Sequence, residues 1–160
     1  MNSERRGFSS KYLLSMLYGG MSWGGFYECL NGKVVVCTNQ DVLVYMPEAK
    51  EYEVTGYTHV DTLRVTDEDY AVINQFLNRE RLLNLDPEPD YRVCDGYSLG
   101  ITLYDENDEP YPVCGGYMPR NDEFNNIHAT IRSCLPMEQL YAIRKKWVKD
   151  LEETNEGKLT

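Results

Sequence analysis

Residues 97–104 read Tyr97-Ser98-Leu99-Gly100-Ile101-Thr102-Leu103-Tyr104, and their alternation decides the class of fold. Tyr97, Leu99, Ile101 and Leu103 leave one side of an extended chain, and Ser98, Gly100, Thr102 and Tyr104 leave the other. That is the period of a strand with one buried face. Asp105-Glu106-Asn107-Asp108-Glu109-Pro110 follows, with too much charge and a proline to continue the strand. An apolar run resumes from Tyr111 to Cys114, so the stretch reads as a hairpin with an acidic tip.

Upstream, Tyr12 to Tyr18 reads as a first strand or a short helix, and its aromatic ends favour the strand. The run Gly19-Gly20-Met21-Ser22-Trp23-Gly24-Gly25 then suggests a loop whose amides cradle phosphate. It lacks the Gly-Lys-Ser/Thr ending and no helix signal follows, so it reads as a bend between strands. Phe26 to Leu30 and Lys33 to Thr38 flank Asn31-Gly32, a pair suited to the positive φ values of a type I′ turn. With that turn, Cys29 and Cys37 fall on opposite faces of a hairpin and cannot bridge. Val42 to Met46 adds a strand, Gly56 marks a turn, and Val60 to Val65 adds another strand.

Thr66-Asp67-Glu68-Asp69 opens a helix, with Thr66 as its cap and carboxylates at the positive end of the helix dipole. Tyr70, Ile73, Phe76 and Leu77 form its apolar stripe, and it should end near Leu83 to Leu85, before Asp86-Pro87-Glu88-Pro89-Asp90. After the central hairpin, Pro119 leads to a second helix with Phe124, Ile127, Ile131 and Leu135 on one stripe. His128 falls at the boundary of that stripe. Pro136 starts a third helix, with Leu140, Ile143, Trp147 and Leu151 as its apolar face and Arg144, Lys145, Lys146 and Lys149 mostly elsewhere. These elements predict one α+β domain over 11–151, with a loose N-terminus at 1–10 and a frayed tail at 152–160. The predicted core is an antiparallel sheet of about five to seven strands, with about two or three helices largely on one face.

The chain of 160 residues is long enough for a core without disulfides or a metal. Its 5 cysteines are an odd set without a Cys-x-x-Cys pair, which predicts free thiols and a reducing, cytoplasmic setting. No apolar run approaches the roughly 20 residues of a membrane span, and no membrane partner is expected. The net charge is −10, and residues 41–125 hold 19 acids against 6 bases, a net of −13. That balance argues against direct binding of nucleic acid, whose affinity comes from Lys and Arg. It favours a basic partner surface instead.

Tyr18-Gly-Gly-Met-Ser-x-Gly-Gly-x-Tyr27, a middle helix, Asp95-Gly96 before an alternating strand, and a glycine-proline link to an amphipathic helix together resemble a group of small bacterial or phage α+β domains. The similarity runs over roughly residues 12–135 and rests on glycine and hydrophobic patterning. It implies an antiparallel sheet with helices on one side and carries no activity with it.

Chemistry-bearing patterns are sparse. His59-x-Asp61 on a strand would place a base and an orienting carboxylate on one side, and Cys37, Cys94 or Cys114 would supply a thiol. A small cysteine-dependent hydrolase or transferase using His59 is therefore the alternative reading. Two histidines without paired spacing do not make a zinc set. Asp105-x-Asn107-x-Glu109 imitates a calcium loop, but Pro110 stands where glycine is needed. No cofactor or metal is expected.

The compositional oddity is 13 tyrosines together with 26 acids. Tyrosine gives large contact area at low entropic cost. Tyr104, Asp105, Glu106, Asp108, Glu109 and Tyr111, with Glu51, Tyr52 and Glu53, are the expected protein-binding surface. The leading expectation is a non-enzymatic acidic domain, sharpened as a phage-type inhibitor that imitates nucleic acid and engages a nuclease or another nucleic-acid-binding protein. An unpaired edge strand or the face of Trp147 offers a route to a homodimer.

Overall fold

The structure, a computed structural model, describes residues 8–20, 26–77, 98–112, 116–117 and 122–158. Strands β1 (Tyr12–Gly19), β2 (Asn31–Cys37), β3 (Asp41–Lys50) and β4 (Glu53–Arg64) form an antiparallel meander. Helix α1 (Asp67–Leu77) follows, then short strands β5 (Ser98–Leu99), β6 (Ile101–Tyr104), β7 (Pro110–Pro112) and β8 (Gly116–Tyr117). Helices α2 (Asp122–Ser133) and α3 (Met137–Lys158) complete the described chain. The main sheet runs β4-β3-β2-β1-β6-β7, and β5 pairs with β8 separately. The architecture is α+β, as the alternation and helical stripes predict.

The 97–104 reading holds over its second half. Ile101 and Leu103 are buried and face the core, while Thr102 and Tyr104 are half-buried on the other side. Gly100 divides the stretch, so Ser98 and Leu99 pair with β8 rather than continuing β6. Tyr97 and Cys114 lie outside the described residues, as do the expected end of α1 near Leu83 to Leu85 and Pro119.

The core face is read directly from register. Leu14, Met16 and Tyr18 of β1 lie beside Val36, Val34 and Gly32 of β2. Val42 and Val44 of β3, and Ile101 and Leu103 of β6, extend the same face. Ile73 and Leu77 of α1, Phe124, Ile127 and Ile131 of α2, and Leu140 of α3 close over it. β-Branched side chains fill the flat strand surface while helical stripes supply the opposing layer.

The Asn31-Gly32 turn does not form. Both residues are inside β2, opposite Gly19 and Tyr18. Residues Phe26–Cys29, expected as the first arm of that hairpin, are a single 3₁₀ turn. The glycine serves close approach rather than positive φ. A Cβ on Gly32 would lie 2.4 Å from the Tyr18 ring, so the fully buried tyrosine lies directly against the neighbouring backbone. The Tyr18 hydroxyl contacts Met46 Sδ at 3.5 Å, and burial pushes its pKa up to about 12. Positive φ instead occurs at Gly19 and Gly20, at +79° and +78°, where the chain leaves β1. The bend reading therefore holds at these two residues, and Met21 to Gly25 lie outside the described set.

The turn expected at Gly56 is displaced as well. Glu51 and Tyr52 carry the positive φ, 51° and 64°, and join β3 to β4, while Gly56 sits within β4 opposite Glu48. Two bulges, near Val60 and Thr55, interrupt this long edge strand. Such bulges protect an edge from pairing with another chain.

Two helical residues differ from their expected roles. His128 is 2% exposed rather than at a boundary, and its Nε2 lies 3.1 Å from the Leu17 carbonyl. Arg144 is half-buried, not on an outer face, and donates to the carbonyls of Leu30 (2.9 Å and 2.7 Å) and Glu28. It thereby holds the 3₁₀ turn against α3, satisfying carbonyls that a short turn leaves open. Trp147 keeps its place on the apolar face, half-buried, and donates from Nε1 to the Pro47 carbonyl at 2.7 Å. The backbone of α3 remains helical to Lys158, past the point where fraying was expected. At the other terminus Phe8 bridges Asp105 and Ser9 is buried, so the expected loose segment is tied down there.

Candidate functional site

The tip of the β6–β7 hairpin is built by one carboxylate. Asp105 Oδ1 accepts the backbone amides of Asn107 (2.8 Å) and Glu109 (3.0 Å), which closes the turn as aspartate does in Asx turns. Asp108 sits at φ +61°, a conformation that aspartate tolerates. It accepts the Ser9 hydroxyl and pairs with Lys11 at 3.6 Å. The calcium-like pattern is thus spent on the turn itself, and no metal-ligating cluster occurs among the described residues. Glu106 and Glu109 are left exposed.

Register shows which predicted residues share a surface. Tyr12 lies beside Cys37, Val36 beside Val42, Asp41 beside Arg64 and Leu14 beside Leu103. Residues 8–12, 37–42, 64–67 and 104–110 therefore occupy one end of the sheet. Gly19, Asn31, Lys50 and Glu53 mark the opposite end. The structure consequently separates the predicted surface into two parts. Glu51, Tyr52 and Glu53 lie at the far end from Asp105, Glu106, Asp108 and Glu109, near the opposite edge of the sheet. Alternation and charge in sequence carry no information on which hairpin points which way.

Tyr52 is 68% exposed and packs against Phe26 and Tyr27, with ring centroids 5.6 Å and 6.3 Å away. Tyr104 is half-buried and tilts against Tyr12 at 5.3 Å. Tyr111 lies in β7 opposite Leu103, and its side chain falls outside the described residues.

Other acids, missed at the level of sequence, join the hairpin tip at its end of the sheet. Asp67 accepts Gln40 Nε2 at 2.7 Å, which brings the first turn of α1, with Glu68 and Asp69, to the sheet end. Thr66 caps that turn: its hydroxyl accepts the Asp69 amide at 3.1 Å and donates to the Asp69 carboxylate. Asp41 adds another carboxylate, paired with Arg64 at 3.4 Å. The signal available in sequence was the Thr-Asp-Glu-Asp cap. Only the sheet register shows that the cap and the hairpin tip share an end.

The cysteine alternative fares differently. The bulge at Val60 sets His59 opposite Tyr45 and Asp61 opposite Val44, so His59 and Asp61 leave opposite faces. His59 Nε2 meets Thr62 Oγ1 at 3.0 Å, and Asp61 accepts the Thr62 amide at 2.8 Å. Cys29, Cys37 and Cys134 are free thiols. Burial pushes Cys37 above the ordinary thiol range, with Asp41 adding to it, the reverse of what a nucleophile needs. Cys94 and Cys114 lie outside the described residues. No helix among the described residues is long and apolar enough to cross a membrane.

Compared with protein-family profiles, curated proteins and solved structures, the chain matches none.

Proposed function

We propose that this protein is a non-enzymatic binding domain that docks through its acidic sheet end onto a basic surface of another protein. The partner class with the best fit is a nucleic-acid-binding enzyme such as a nuclease, which the domain inhibits by presenting carboxylates where phosphates would lie. A phage-type inhibitor acting in the cytoplasm suits this reading, and the free thiols of Cys29, Cys37 and Cys134 fit a reducing compartment.

The observation that carries the reading is the preorganisation of charge. Asp105 and Asp69 are held by bonds within their own turns, and Asp108 and Asp67 by Ser9 and Gln40 from elsewhere in the chain, while Glu106, Glu109 and Glu68 stand exposed among them. Fixed charges steer encounter and select a complementary partner without a large ordering cost. Lys11 and Arg64 offset part of this charge, but both pairs are solvent-exposed and weak.

The test is capture from a bacterial lysate at low and high salt, with the retained proteins identified by mass spectrometry. A nucleic-acid enzyme held at low salt and released at high salt is expected. Reversing Glu106 and Glu109 to lysine should abolish that capture, whereas reversing Glu51 and Glu53 at the opposite end should leave it intact. Capture that ignores salt, or that survives the first reversal, defeats the proposal.

A further inference from the structure

On the helical side, where the chain leaves β1 through Gly19 and Gly20, a cleft of about 1210 Å³ opens between α2 and α3. Its charge is opposite to that of the protein. Arg132, Arg144 and Lys145 line it, and Glu28 is the one carboxylate among its described lining residues, in a chain of net charge −10. Neither Arg132 nor Lys145 is ion-paired among the described residues. The Arg132 guanidinium lies over the Tyr141 ring, 5.4 Å from its centroid. Arg144 uses Nε and Nη2 on the Leu30 and Glu28 carbonyls, which leaves Nη1 without a protein acceptor among the described residues.

Leu99, Ala129, Met137 and the exposed ring of Tyr141 supply apolar wall, and Asn125, His128 and Ser133 add neutral polar groups. The volume and this mixture match small-molecule sites, which are mostly apolar with a few charged groups that orient the ligand. A concave, low-dielectric wall also strengthens the field of the cations. His128 contributes no positive charge at neutral pH, because burial holds its pKa down to about 4. Glycine is required at the lip: a Cβ on Gly19 would lie 2.8 Å from Arg144 Nε.

We propose that this cleft binds a small anionic ligand with a flat apolar body, an aromatic carboxylate or a nucleotide. Its anionic group meets Arg132, Arg144 and Lys145, and its body lies against Tyr141, Ala129 and Met137. Planar guanidinium groups suit either carboxylate or phosphate. The site shares no residue with the acidic sheet end, so its failure and the failure of partner binding are separate results.

The test uses the full chain and anilinonaphthalene sulfonate, an anionic aromatic fluorophore, beside N-phenyl-1-naphthylamine, a similar body without the charge. The sulfonate should bind at a single saturable site and the neutral compound much more weakly. Replacing both exposed-side cations, R132Q with K145Q, should weaken the sulfonate about tenfold, the scale of one or two charge-assisted contacts. The neutral compound should be unaffected. Ala129→Trp, at an exposed helix position, should block both probes while the melting temperature holds. Naphthoate and AMP then compete for the site, and displacement by one of them identifies the anionic group it prefers. Equal binding of the two probes, unchanged binding in R132Q/K145Q, or displacement by neither competitor overturns the proposal.

Discussion

At the acidic sheet end, the bonds that hold Asp105 and Thr66 in place span 2, 4 and 3 residues of chain. At the basic cleft, His128 reaches Leu17 across 111 residues, and Arg144 reaches Leu30 and Glu28 across 114 and 116. At the acidic end the turn and the cap are closed by such short-range bonds, mostly in contact with water, and Ser9–Asp108 and Gln40–Asp67, 99 and 27 residues apart, tie them to the sheet end. The cleft is made where two helices, a strand end and a 3₁₀ turn meet, with His128 buried and Arg144 half-buried. Substitutions of the buried groups behind the cleft should therefore be expensive and those at the acidic end mild, even though the acidic end carries the proposed docking surface.

The largest expected effect comes from the buried Tyr18 ring, which packs edge-on against Tyr141 of the cleft wall, centroids 6.3 Å apart. Gly32→Ala should destabilise the fold by about 3 kcal/mol, the upper range for overpacking a core, because the new methyl meets the fully buried Tyr18 ring. Urea unfolding measures this, and a loss below about 1 kcal/mol would mean the ring yields and the contrast between the two regions is weaker than drawn.

Next comes pH. His128 is pushed down to about 4 by burial, with Arg132 lowering it further and the Leu17 hydrogen bond opposing. Its unfolded value is the higher one, so the unfolded chain takes up a proton first as pH falls. Stability is thus whole above about pH 6.5 and is lost toward pH 4, by about 3 kcal/mol at roughly 1.4 kcal/mol per unit. The part of this slope between pH 6.5 and 5, before carboxylates titrate, should vanish in His128→Gln. A slope that persists in that variant would assign the effect to another group.

Smaller changes are expected at the acidic end. Thr66→Ala removes the cap of α1 and should cost about 1 kcal/mol in thermal or chemical melting. Smallest of all, Glu106→Lys with Glu109→Lys should alter stability by less than about 0.5 kcal/mol while abolishing salt-sensitive partner capture. A large stability change there would show that these exposed glutamates hold the hairpin, a role the geometry gives to Asp105.

The difference in range also explains what could be read before the fold was known. The Thr66 cap, the Ile73–Leu77 and Phe124–Ile131 stripes, and the Ile101–Leu103 alternation are local patterns, and all recur in the structure. Asn31-Gly32 misled because the same dipeptide serves two ends. The pair permits a tight turn, but here the missing Cβ makes room for Tyr18, a residue 14 positions upstream. His59 and Asp61 misled because one bulged residue reverses the face of everything beyond it.

By itself, the sequence determined the α+β class, the order of its helices and the acidic balance of residues 41–125. Periodicity, capping and charge are properties of neighbouring residues, and these follow from them. Tertiary structure alone decided that the two acidic hairpins point to opposite ends of the sheet. It alone gathered Arg132, Arg144 and Lys145 around the glycines at the end of β1. Both outcomes depend on strand register and helix packing, set by which apolar faces fit together across more than a hundred residues, and no local pattern encodes that fit.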